Sequence, residues 1–62
     1  MKNNSEMAVV AGSVIKVLGQ TDDPCLVTKI DPEGRVHFWN LVTNHKGWFA
    51  IAEASQYVKS IL

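Results

Sequence analysis

This 62-residue sequence holds a single cysteine, Cys25, so no disulfide can close within the chain. Cys25, His37 and His45 are spread over separate segments without metal-ligand spacing, so no metal centre and no cofactor are expected. Charge of one sign is missing as well. Six basic and six acidic residues cancel, leaving no net field to draw the chain towards nucleic acid or an anionic membrane surface. No apolar run approaches the ~20 residues that cross a bilayer, so no membrane partner is expected. The short run from Met7 to Ala11 follows Glu6 and stops at Gly12-Ser13, which argues against an export signal. A lone thiol suits a reducing compartment, and the expected location is cytoplasmic.

A chain this short buries only about 60% of the surface it exposes when unfolded. With neither disulfide nor metal to reinforce it, association with another copy is a natural way to bury more.

Turn residues divide the chain clearly. Residues 1–11 form a polar tail and lead-in, in which Ser5 to Ala11 suits either a capped turn or the start of a strand. Residues 12–62 carry the folded domain. Ser13 to Leu18 is β-branched and bounded by Gly12 and Gly19, which predicts a first strand with Ile15 and Val17 facing the core and Val14 and Leu18 partly covered. Cys25 to Ile30 follows as a second strand after the loop ending at Pro24. Asp31-Pro32-Glu33-Gly34 is a hairpin signal: Asp31 can accept backbone hydrogen bonds, proline suits the second turn position, and glycine takes the left-handed closing position. The segment Arg35 to Val42 is then the antiparallel third strand, and Trp48 to Ile51, after the turn Thr43 to Gly47, the fourth. Ala52 to Gln56 reads as one helical turn before a short strand, Tyr57 to Ile61. The alternative is an antiparallel sheet with a C-terminal helix, because Ile51, Ala54, Val58, Ile61 and Leu62 also fall at helical spacing.

The run Gly12-Ser13-Val14-Ile15-Lys16-Val17, then Pro24 to Ile30, then Gly34-Arg35-Val36-His37-Phe38-Trp39 resembles small bacterial proteins of the SH3-like barrel fold. That resemblance implies a mainly β, five-stranded SH3-like barrel with one short helical turn before the last strand. Gly47-Trp48-Phe49 leading to Tyr57-Val58-Lys59 also resembles the end of eukaryotic SH3 domains, which implies Trp48 and Tyr57 as residues lining a groove. No proline stands between them, where those domains have one.

The chemistry-bearing residues point away from catalysis. Asp22, Asp23, Asp31 and Glu33 lie in or beside proline turns that favour carboxylates for their own sake. Cys25 and His37 lack a third group to orient them, and no phosphate-cradling glycine loop occurs. The aromatics are more informative. Phe38-Trp39 and Trp48-Phe49 are adjacent pairs, and neighbours on a strand face opposite ways, so each pair sends one ring inwards and one outwards. The expected outward rings are Trp39 and Trp48. Together with Tyr57 they would form an aromatic patch, and the expected function is a non-enzymatic module that binds a protein partner or another copy of itself. The alternative is a small RNA- or DNA-binding barrel in which the rings stack bases while Lys29, Arg35 and Lys46 hold phosphates.

Overall fold

The computed structural model describes residues 9–62. It contains five strands: β1 (Val14–Val17), β2 (Pro24–Ile30), β3 (Arg35–Asn40), β4 (Lys46–Ala50) and β5 (Val58–Ile61). A 3-10 turn (Ile51–Glu53) and a short helix, α1 (Ala54–Tyr57), connect β4 to β5. The strands form one antiparallel sheet in the order β4-β3-β2-β1-β5.

Five strands with a helical turn ahead of the last one match the expectation. The terminal-helix alternative is ruled out, because the chain is extended from Val58 and pairs with β1. The expected closure into a barrel is corrected: β4 and β5 end the sheet at opposite edges and do not pair with each other.

Period-two alternation sorts the side chains. Ile15, Val17, Cys25, Val27, Val36, Phe38 and Phe49 all turn to one face and are buried there. Val9 and Ala54 join that core, and Tyr57, Val58 and Ile61 pack against it. The core therefore reaches beyond the strands, drawing on the lead-in and on α1. Readings for the segment before Val9 lie outside the described residues. A β-bulge between Val27 and Lys29 shifts the β2–β3 register, so that Lys29 comes opposite His37.

The hairpin between β2 and β3 forms as its residues dictate. Asp31 Oδ1 accepts the backbone N–H groups of Glu33 and Arg35, each at 3.0 Å. Gly34 takes φ +84°, where a Cβ would be strained.

Most strand boundaries shift by one or two residues from the sequence reading, and two of the shifts change what is exposed. The third strand stops at Asn40, two residues before Val42. Asn40 Oδ1 accepts the N–H groups of Val42 and Thr43, and its carbonyl accepts that of Asn44, which turns the chain at once. This leaves Leu41 and Val42 exposed in the turn and starts β4 at Lys46. Leu18 is exposed rather than partly covered, because β1 ends at Val17 and Gly19, at φ +89°, turns the chain away. No helix among the described residues is long and apolar enough to cross a membrane.

Candidate functional site

The face of β2, β3 and β4 turned away from the core carries most of the sequence-derived candidates. Along β3, the residues alternating with buried Val36 and Phe38 are Arg35, His37 and Trp39. On β4, Lys46 and Trp48 alternate with Gly47 and with buried Phe49. Cross-strand pairing sets Trp39 opposite Lys46 and His37 opposite Trp48. On the other side of β3, Leu26 lies opposite Trp39 and Lys29 opposite His37. Trp39, Trp48, Lys29, Arg35 and Lys46 thus converge on one surface.

The two tryptophans are outward and their neighbouring phenylalanines inward, but they are not equally open. Trp48 is 55% exposed. Trp39 is half-buried, with Nε1 donating to Asn44 Oδ1 at 2.6 Å. Each ring has a cation over it: the Arg35 guanidinium lies 5.3 Å from the Trp48 ring centre, and Lys46 Nζ lies 6.0 Å from that of Trp39.

Tyr57 does not join them. Its ring stacks on Phe49 at 5.5 Å with an interplanar angle of 7°. Phe49 points to the core side while its neighbour Trp48 points outwards, so Tyr57 and Trp48 lie on opposite sides of the sheet.

The cations divide into engaged and free. Arg35 Nε reaches Asp31 Oδ2 at 3.1 Å, and a second guanidinium nitrogen pairs with Glu33. Among the described residues, Lys29 and Lys46 enter no ion pair. They border a surface hollow of about 290 Å³ that is also lined by His37, Trp39 and Gly47. Gly47 is fixed by packing on the core side, where a Cβ would lie 2.8 Å from Phe38 Cζ.

His37, weighed in the sequence only as a metal ligand or as a partner for Cys25, was not expected on this face. It occupies the middle of the face, with Nε2 2.8 Å from Asp31 Oδ2. Its signal was available, since Arg35, His37 and Trp39 at i, i+2 and i+4 of a strand must share a face. The His37 side chain, helped by the backbone N–H of Arg35, holds the Asp31 carboxyl down to about 2. A carboxylate kept ionised in this way anchors both Arg35 and His37 over a wide pH range.

The remaining candidates lie apart. Cys25 is fully buried in the core, its Sγ 3.6 Å from the Asp23 carbonyl. Burial pushes its thiol pKa up, and the nearby Asp23 charge adds to this, which keeps the thiol protonated and a poor nucleophile at neutral pH. His45 packs near Phe38, with ring centres 6.3 Å apart. Among the described residues no group of His, Cys, Asp and Glu is arranged to hold a metal ion.

Comparisons with known protein families, with curated proteins and with solved structures find nothing that matches this chain. The functional reading therefore rests on the geometry of this face.

Proposed function

We propose that this chain is a non-enzymatic interaction module that docks a protein partner, or another copy of itself, on the outer face of β2, β3 and β4. The observation that carries this reading is the exposed Trp48 ring beneath the Arg35 guanidinium, on the same surface as Trp39. Tryptophan and arginine dominate the energetics of protein interfaces when a partner desolvates them. Both are already held in place here. Asp31 and Glu33 fix Arg35, and Asn44 fixes Trp39, so little side-chain freedom is left to lose on binding. Tyr57 has no part in this face.

A second reading, binding of single-stranded RNA or DNA, draws on the two lysines that flank the hollow beside Trp39. Stacking rings combined with backbone-tracking cations are the usual means of holding such strands.

Capture from a nuclease-treated lysate separates the two. For a protein interface, one stoichiometric partner survives nuclease and is lost with Trp48→Ala, while the Lys29→Ala/Lys46→Ala pair retains it. For nucleic acid, binding falls steeply with salt and disappears with the lysine pair. If Trp39→Ala and Trp48→Ala both keep the fold and every interaction, the docking face is elsewhere.

A further inference from the structure

We infer that the open edge of β4 is the docking line for a second copy of this chain, pairing antiparallel to its own β4 with Trp48 opposite Trp48. This rests on the reading of the Trp48 side as a docking surface and names its occupant.

The phase of the β3–β4 ladder carries the argument. At its two ends, the Asn40 N–H donates to the His45 carbonyl and the Ile51 N–H to the Gly34 carbonyl, both at 2.7 Å. Antiparallel pairs alternate between hydrogen-bonded and non-bonded. With the observed register, Val36–Phe49 and Phe38–Gly47 are therefore the bonded pairs, while Arg35–Ala50, His37–Trp48 and Trp39–Lys46 are not. It follows that the N–H and C=O groups of Lys46 and Trp48 and the N–H of Ala50 point away from β3 as edge groups, while the Ala50 carbonyl, at the N-cap of the 3-10 turn, accepts that turn's first bond. On that side the sheet has no further strand among the described residues. Such a row of unpaired backbone groups is a template for another strand.

The edge is complementary to itself. Setting Trp48 against Trp48 brings Lys46 opposite Ala50 and Gly47 opposite Phe49, so all five residues of β4 pair. Every edge-facing residue then meets an edge-facing residue, as the ladder requires. Lysine on an edge strand normally deters pairing. In this register the two lysines lie at opposite ends, and each faces an alanine. The two Trp48 rings meet on the outer face, and the zero net charge means that two copies do not repel each other. A two-fold axis through the Trp48 pair closes the assembly at a dimer.

The other edge is less suited. β5 has four residues, and its pairing with β1 is broken by an irregularity between Lys16 and Val17.

The test combines sedimentation over a concentration series with amide hydrogen exchange on the full chain. The expected result is a concentration-dependent dimer in which the Lys46, Trp48 and Ala50 amides gain protection as the dimer forms. The Gly47 and Phe49 amides should be protected at every concentration, because β3 already holds them. Ala50→Pro is the discriminating variant. Ala50 has φ −70°, which proline adopts, and its N–H is not used by β3, so the monomer keeps its fold while the edge loses a donor. Self-association should weaken by about tenfold or more. Trp48→Lys, which sets two cations against each other, should weaken it similarly.

A chain that stays monomeric throughout, a dimer in which those three amides still exchange freely, or an Ala50→Pro variant that dimerises normally would each overturn the inference. A monomeric chain that captures a different protein and loses it with Trp48→Ala overturns the β4 pairing alone and leaves the docking face standing. Capture of nucleic acid through Lys29 and Lys46 overturns both.

Discussion

Asn40 Nδ2 donates to the Asp23 carboxylate at 3.2 Å, tying the end of β3 to the loop between β1 and β2. The same amide nitrogen reaches Gln20 Oε1 at 3.0 Å, and its oxygen accepts two turn N–H groups. At 1% exposed, Asn40 is the one buried polar residue among the described residues, and all of its side-chain hydrogen-bonding capacity is used. Asn40→Leu removes these bonds and strands their partners, so stability should fall by about 2–4 kcal/mol, read as a lower urea midpoint at unchanged m. Asn40→Asp should also be destabilised at neutral pH, because it sets a second carboxylate against Asp23. That loss should shrink as acidification protonates one of the two.

Asp31 sets the acid limit. Its folded pKa of about 2 lies below the ordinary 3.8, so the unfolded chain takes up the proton first as pH falls. Stability from this carboxylate is complete above about pH 4 and is lost as pH falls through about 2. Asp22, lowered by its hydrogen bond with Lys59 and by that lysine's charge, acts in the same direction. Urea unfolding of the wild type between pH 5 and 2 should therefore show falling midpoints, and Asp31→Asn should flatten that fall.

Gly47 is required by packing. Its missing Cβ would lie 2.8 Å from Phe38 Cζ and 3.2 Å from Cε2, and Phe38 is itself buried. Gly47→Ala should cost about 1–3 kcal/mol, since the ring must leave its rotamer or the edge strand must shift. Combining it with Phe38→Leu, which opens space at that point, should cost less than the sum of the two single changes in a double-mutant cycle.

Trp48 should be nearly dispensable for folding. With its ring mostly in water, Trp48→Ala is expected to change stability by no more than about 0.5 kcal/mol. Trp39→Ala should cost more, because that ring is half-buried and its indole N–H is bonded to Asn44. Thermal unfolding of the two variants checks the order. A partner lost with Trp48→Ala at unchanged stability would locate binding directly at this face.

Much of this could be read from local chemistry. Asp31-Pro32-Glu33-Gly34 names its own turn, and alternation along Arg35 to Asn40 sends Phe38 and Trp39 to opposite faces, because both effects act over a few neighbouring residues; which ring is buried was settled by the sheet packing. The tertiary structure decided the rest. The Asn40 side chain that turns the chain at the end of β3 is held in place by Gln20 and Asp23, 20 and 17 residues earlier, and no short window contains those partners. Tyr57 lies behind the sheet because α1 presses it onto Phe49, and the register between strands brings Lys29, His37 and Trp48 side by side. Turn residues and alternation determined where the strands run and which neighbours face opposite ways. Which residues share a surface, and that β4 keeps an open edge, followed only from strand order and register, which depend on every turn at once.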